Sequence, residues 1–250
     1  MDVLELPTVE LVVIGAAAVA TSVLSAMAGL GGGIILLVVI AQFFAPAVAI
    51  PVHGGIQLVS NGSRASLLRR EIAWRPVLLQ SLLLLPAALV GVAVATAIPE
   101  AATRLAIGVF VLVVAWRPSL LKRRRAAGPS DRTLVGVGAV SGFLNSTVGA
   151  SGPVTSPFFK AATATHVSFV ATAASTQVLA HLSKIIAYTL DDFSPADHLL
   201  VIAVGAVGVT AGSWIGTRLL GRVAEDRLDL LFKVVLTALA VRLVAQAFVG

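Results

Sequence analysis

Two glycine-rich breaks interrupt the hydrophobic sequence, and each precedes an apolar run that looks too short to cross a bilayer. They read Gly29-Leu30-Gly31-Gly32-Gly33 and Gly149-Ala150-Ser151-Gly152-Pro153. Such a break frees backbone N–H groups at the start of a short helix, and the partial positive charge of a helix N-terminus suits an oxyanion. The hydroxyls of Ser151 and Thr155 would add donors beside the second break. The residues predicted to bind substrate here are Gly31, Gly32, Gly33, Gly149, Ser151 and Gly152.

Glycine has a second common use in membrane helices, because it lets two helices pack closely. That use would explain any one of these glycines. Two breaks at corresponding places in two halves of a chain are typical of transporters built on paired broken helices. The pair therefore favours an anion site.

A polar stripe follows each short run, on the next predicted helix. The spacing of three or four residues puts the members of each stripe on one helix face. Polar groups at bilayer depth are costly unless they meet partners or water, so both stripes should face the protein interior. Gln57, Asn61, Gln177 and His181 are also predicted to bind substrate. The amides of Gln57 and Gln177 lie near mid-span and could donate to a sulfonate-like group or to another helix. The stripes are His53, Gln57, Asn61 and Arg64, then Gln177, His181, Lys184 and Tyr188.

The cations of the two stripes have a different predicted role. Arg64 and Lys184 should lie nearer opposite membrane faces, where each could attract an anion or extend its charge to the headgroups. No Asp or Glu lies in the middle of a predicted span, so a carboxylate proton relay is hard to place. We therefore expect a uniport, or coupling to a proton carried by His181 or by the substrate itself. A structural role for His181 stays open.

The composition indicates an integral membrane protein. Of the 250 residues, 58% are hydrophobic and 12% are charged, whereas a soluble domain carries about 25% charged residues. The N-terminus, Met1-Asp2-Val3-Leu4-Glu5, is acidic where a signal peptide needs positive charge, so the first span should be retained. There is no cysteine for thiolate chemistry. Neither a cofactor nor a metal site is predicted.

Ten apolar segments form an all-α membrane fold. Eight are near full length for a bilayer crossing and two are short. The long segments are Pro7–Ala28, Val48–Leu68, Pro76–Ile98, Thr103–Leu121, Thr133–Val148, His166–Leu190, His198–Leu219 and Arg227–Phe248, and the short ones are Ile34–Phe44 and Pro153–Thr163.

The net charge of +6 is concentrated at alternate junctions between these segments, which indicates topology rather than nucleic-acid binding. If the basic junctions are cytoplasmic, both termini lie outside an inner membrane. Five segments per half, an odd number, make the second half an inverted copy of the first. The short runs could cross or re-enter without changing the site. The predicted divisions are residues 1–121, a basic cytoplasmic linker at 122–132 that meets the membrane surface, and residues 133–250.

Residue identities support the duplication. Gln57 aligns with Gln177, and Arg64 aligns with Lys184 at the same offset. Chance alignment of apolar helices is the alternative, because Ala, Leu and Val dominate the chain. A shared glutamine and a paired basic residue at one offset favour duplication.

Several motifs together resemble the sulfite exporter TauE/SafE family of membrane transporters. The first half carries Ala28-Gly29-Leu30-Gly31-Gly32-Gly33-Ile34, then a short apolar run and a proline. The second half carries Val140-Ser141-Gly142-Phe143-Leu144 before its break, and the Ala/Thr-rich Ala171–Gln177 after it. The resemblance implies export of sulfite or an organosulfonate such as sulfoacetate.

The chain departs from that family's pattern at two places. Asn145-Ser146-Thr147-Val148 precedes the second break, where a plain Gly-x-Gly-Gly-Gly is more usual. His53-Gly54-Gly55-Ile56-Gln57 stands where Ala/Gly-Thr-Ser types are expected. Both departures lie at the predicted substrate site.

Other functions fit the sequence less well. An anion channel, or a transporter of thiosulfate or sulfate, could use the same features. A membrane enzyme is disfavoured, because the chain has no zinc motif, nucleophile elbow or clustered carboxylate pair. A structural scaffold would leave the paired breaks unexplained. The oligomeric state cannot be predicted.

Overall fold

The computed structural model describes residues 8–28, 32–117, 128–219 and 225–249, and within them every regular element is helical. Short 3-10 turns at Arg69–Glu71 and Pro195–His198 connect some of the helices. The first half contains α1 (Thr8–Ala28), α2 (Gly32–Ile40), α3 (Pro46–Leu67), α4 (Trp74–Ala97) and α5 (Glu100–Trp116). The second half contains α6 (Asp131–Thr147), α7 (Gly152–Ala162), α8 (His166–Thr189), α9 (Leu199–Leu219) and α10 (Glu225–Val249).

The all-α prediction is confirmed, and each predicted segment corresponds to one helix. Helices α2 and α7 are short, with 9 and 11 residues. At a rise of 1.5 Å per residue they extend about 14 and 17 Å, roughly half of a bilayer's hydrocarbon thickness. Pro46 and Pro153 lie in the first turns of α3 and α7, where a missing N–H costs no hydrogen bond.

Four helices of the described chain are long and apolar enough to cross a membrane by length and composition. Helices α3 and α8 also have 22 and 24 residues, but their polar stripes lower their hydrophobicity. These two helices pack against each other. The four apolar spans are Thr8–Ser25, Trp74–Ala97, Pro195–Gly216 and Leu230–Phe248.

Helix α1 packs along α9 in the other half, and the two run parallel. The Ser22 hydroxyl donates to the Val209 carbonyl at 2.7 Å and lies 2.8 Å from the Ser213 hydroxyl. About two turns earlier along α1, Gly15 faces Val204. Because residue numbers rise together along the contact, α1 and α9 point the same way.

Helices α4 and α6 form the corresponding parallel pair. Gly138 lies against the Gln80 carbonyl, and Gly142 lies against the Leu84 carbonyl. Further along, Gly91 approaches Ser146. Small residues let the two backbones approach this closely, as membrane helix interfaces commonly require. The fourth helix of each half therefore packs along the first helix of the other half.

The helix ends gather at two faces of opposite charge. We call them the acidic face, which carries Glu100 and the 191–198 connection, and the basic face, which carries residues 68–75 and 128–132. At the acidic face the Phe44 and His198 rings are 6.1 Å apart. At the basic face Arg75 pairs with Asp131 at 2.7 Å.

The two broken-helix hairpins return to opposite faces. Helix α2 ends at the acidic face, where the Arg104 guanidinium donates to the Ala41 carbonyl at 2.8 Å. Helix α7 ends at the basic face, where Gly128 lies against the Ala161 carbonyl. The starts of α2 and α7 therefore lie inside the protein. The predicted linker at 122–132 is mostly outside the described residues, so the division into two repeats stays a prediction.

Candidate functional site

Ser151, at the start of α7, is the centre of a buried polar cluster. Its Oγ accepts from Asn145 Nδ2 at 2.7 Å and from Gln177 Nε2 at 3.4 Å, and lies 2.8 Å from Ser141 Oγ. The two amides fill the lone pairs of Ser151 Oγ, so its own hydrogen points to Ser141. Ser141, Asn145 and Ser151 are all fully buried. The predicted substrate residues Ser151 and Gln177 are thus in direct contact.

Gly149 joins this cluster to the first half. Its φ of +77° lies in the left-handed region that glycine favours, and a side chain here would collide with Leu37 of α2. The Gly149 carbonyl accepts from the Lys184 amino group at 3.3 Å. The second break therefore lies against the first short helix, as a shared site requires.

Lys184 departs from one of its two predicted roles, the extension of its charge to the headgroups. It is near the acidic-face end of α8, as expected, but its side chain is fully buried and does not reach the membrane surface. It packs beside Gly54 of α3 and donates inward to the Gly149 carbonyl. The helix packing closes the outward path, so the predicted alternative of extension to the headgroups does not hold. Among the described residues, no carboxylate pairs with it.

The two stripe glutamines have matching positions in the two halves. The Gln57 amide lies against Gly33, in the first turn of α2. The Gln177 amide contacts Ser151, at the start of α7. Each third helix thus directs its glutamine to the broken end of its own short helix. Asn61 is less engaged, because its amide donates back to the Gln57 carbonyl at 3.0 Å.

Two histidines meet between α3 and α8. The rings of His53 and His181 are 5.8 Å apart and nearly perpendicular, and both side chains are buried. His53 Nε2 lies 2.9 Å from the Gly33 carbonyl, so it contacts the first break directly. Buried Nδ1 atoms of both rings have no hydrogen-bond partner in the described part of the chain.

The remaining predicted residues are less enclosed. Arg64 is half-buried in the last turn of α3, near the basic face. Gly32 packs against the Thr21 carbonyl of α1, whereas Gly152 faces open space. Gly31 lies outside the described residues. The structure therefore brings together Gly33, Gln57, Gly149, Ser151, Gln177, His181 and Lys184, and leaves Asn61, Arg64, Gly32 and Gly152 at the edge.

The sequence reasoning missed Ser141, Asn145 and His53 as site residues. Ser141 and Asn145 are four residues apart on α6, and this spacing puts both on one helix face. It is the signal from which the sequence could have identified them. Asn145 Oδ1 and Ser146 Oγ are buried without a partner in the described part, so two polar atoms of the cluster remain unsatisfied. His53 belongs to the predicted stripe but was given no role in binding, and it lies well inside α3, which begins seven residues before it.

The polar cluster is closed in this conformation. Two concavities of the described chain lie elsewhere. One, about 500 Å³, is an apolar groove beside Val59 and Trp214. The other, about 570 Å³, lies at the basic face around Arg70. Because Ser141, Asn145, Ser151 and Lys184 are all buried, a ligand could reach them only after helices move.

One comparison with known proteins gives a match. A family model described as "Sulfite exporter TauE/SafE" matches residues 13–243, which include both breaks and all of the clustered polar residues. No curated protein and no solved structure matches the chain.

Proposed function

The chain belongs to the sulfite exporter TauE/SafE family, and we propose that it exports a small sulfur-containing anion, either sulfite or an organosulfonate such as sulfoacetate. Membership makes it an integral membrane protein of a transporter family, in agreement with its apolar helices. The substrate, the site and the transport cycle are our proposals.

The observation that carries the proposal is a buried set of hydrogen-bond donors with a cation and no carboxylate among the described residues nearby. Lys184, Asn145 and Gln177 supply N–H groups, and Ser141 and Ser151 supply hydroxyls. A buried amino group without an opposite charge is costly. A bound anion would supply that charge, and its oxygens would accept from the donors now bonded to one another.

We propose alternating access around the two breaks as the transport cycle. The parallel pairs α1–α9 and α4–α6, and hairpins that return to opposite faces, support an inverted repeat in which the halves exchange roles. Rocking of one hairpin against the other would open the closed cluster to each face in turn. With the basic face cytoplasmic, both termini lie outside the inner membrane.

The test is counterflow of labelled sulfite in proteoliposomes, with sulfate, sulfoacetate, taurine and thiosulfate as competitors. Saturable exchange is expected, and the double variant Gln57→Ala/Gln177→Ala should lose it, because each amide lies at one of the breaks. The variant Gln246→Ala is the control, since Gln246 lies near the acidic face beside Arg104.

Two results would contradict the proposal. Absence of exchange for every anion, from protein shown to be folded, would remove the substrate assignment. Anion flux without saturation or counterflow would instead indicate a channel. Inhibition by one competitor alone would identify which sulfur anion the site prefers.

A further inference from the structure

Of the two stripe histidines, His53 has a hydrogen bond that determines which ring nitrogen carries the hydrogen. A backbone carbonyl can only accept, so the contact with the Gly33 carbonyl requires a hydrogen on His53 Nε2. In a neutral imidazole that leaves Nδ1 as an acceptor without a hydrogen. Nδ1 is buried and unpartnered among the described residues, so it is a base with nothing to accept.

The surroundings of His53 supply positive charge but no negative charge. From α8, His181 faces it at 5.8 Å between ring centroids, and Lys184 packs against the neighbouring Gly54. From α2 the contact is a carbonyl, and from α9 the nearest packing on α3 is apolar, through Ile202. The turn Pro195–His198, which also contacts α3, carries Asp197 and His198 at the acidic face; among the described residues, carboxylates otherwise occur only near helix ends and in connections.

The charge of the bound anion determines whether protonation of His53 is favourable. Lys184 can balance a monovalent anion bound at the cluster. A divalent anion, such as sulfite or thiosulfate, would keep one negative charge in a buried site, which is costly. A proton on His53 Nδ1 would balance that charge, and Gly33 would hold the protonated ring at the start of α2.

We propose that His53 Nδ1 takes up one proton together with each divalent anion and releases it with that anion at the opposite face. The proton comes from water on the side that delivers the anion and returns to water on the other side, so no bond to substrate forms. This inference deepens the proposed function and depends on it. It differs from coupling through His181 because the hydrogen bond to Gly33 links His53 directly to a broken helix.

The experiment measures two quantities in the same proteoliposomes, with labelled sulfoacetate because its sulfonate and carboxylate both stay ionised near neutral pH. The first is counterflow, which needs no net proton movement. The second is accumulation driven by an imposed pH gradient. In His53→Gln the amide can still donate to the Gly33 carbonyl, but it cannot take up a proton. We expect the ratio of gradient-driven accumulation to counterflow to fall at least tenfold, while His166→Gln, at the exposed start of α8, keeps the wild-type ratio.

The outcomes separate this inference from the proposed function. An unchanged ratio in His53→Gln would overturn the role of His53, and a fall in His181→Gln alone would move it to that residue. Absence of counterflow for both sulfite and sulfoacetate in the wild-type protein would be the failure of the proposed function instead.

A second measurement does not need transport. In the presence of sulfoacetate, nitrogen NMR of protein labelled in its histidines should show, beside the resonances of the other three rings, an Nδ1 that lacks a hydrogen at high pH and gains one as the pH falls. That resonance should be missing in His53→Gln. A His53 ring that keeps its tautomer and never titrates would overturn the proposal.

Discussion

At the scale of single residues, Ser151 is unusual because three other side chains converge on one hydroxyl oxygen. The closed cluster satisfies these donors in the absence of ligand, but only with one another. An anion that enters must replace those bonds with bonds to its own oxygens. Affinity then depends on the difference between the two sets, since a net hydrogen bond contributes only about 0.5–1.5 kcal/mol.

The first prediction concerns Ser151. In Ser151→Ala the amides of Asn145 and Gln177 lose their acceptor, and the anion loses a hydroxyl donor. We expect the affinity for sulfite to fall roughly tenfold to a hundredfold, corresponding to about 1.4–2.8 kcal/mol. Equilibrium binding of labelled sulfite measures this change. Ser156→Ala is the matched control, because Ser156 donates to the Gly152 carbonyl of its own helix. Equal effects of the two changes would refute a special role for Ser151.

The second prediction concerns Lys184. In Lys184→Met a side chain of similar length remains, but the buried amino group is removed. Relief of an unpaired buried charge should leave the midpoint of thermal unfolding unchanged or higher. Counterflow should be lost, because the anion loses its opposite charge. Lys160→Met, on the exposed end of α7, should change neither quantity. A Lys184→Met protein that still transports would show that the amino group is structural.

At the scale of helices, the bounds were predictable and the contacts were not. Segments such as His166–Leu190 follow from apolar length and charge, and α8 ends within one residue of that prediction. The burial of Lys184 shows the limit of prediction from sequence. Periodicity predicts which face of α8 carries the amino group, but only the packing of α3 decides whether that face meets lipid or protein. The contact between His53 and Gly33 could not be predicted for the same reason, because it depends on how α2 packs against α3.

The third prediction compares adjacent glycines at the start of α2. A side chain at position 32 would collide with the backbone carbonyl of Thr21, which cannot move without separating α1 from α2. A side chain at position 33 would meet the end of the flexible Gln57 amide. Gly32→Ala should therefore destabilise the protein by about 1–3 kcal/mol.

Gly33→Ala should lower the unfolding midpoint less and mainly reduce counterflow, since Gln57 must turn away from the break. Thermal unfolding and counterflow, measured on both variants, test the contrast. Equal loss of stability in the two proteins would mean that Gln57 is held as rigidly as backbone.

At the scale of the whole molecule, the difference in charge between the acidic and basic faces predicts how the protein is oriented in the membrane. The chain places Glu100 and Asp197 at one face, and Arg70 and Arg75 at the other. Because cytoplasmic loops carry the excess of Lys and Arg, the basic face is expected inside. This orientation fixes which broken helix opens toward which compartment.

The fourth prediction tests that orientation with single cysteines, since the chain has none of its own. In intact cells, Asp197→Cys should react with a maleimide that cannot cross the membrane. Arg70→Cys should react only after the membrane is permeabilised. Both positions are exposed, so exposure is matched. The reverse labelling pattern would show that the basic face lies outside. Labelling of both cysteines in intact cells would show that the two positions do not lie on opposite sides of the membrane.

The pairing of α1 with α9 has a consequence for biogenesis. Ser22 meets Val209 and Ser213 across 187 and 191 residues of chain. Helix α1 leaves the ribosome first, yet its partner is made almost last. During most of synthesis α1 lies in lipid without the partners Val209 and Ser213, and its sequence around Ser22 accordingly carries no charged residue. Translation that stalls before α9 would leave an inserted but unassembled first hairpin, exposed to membrane quality-control proteases.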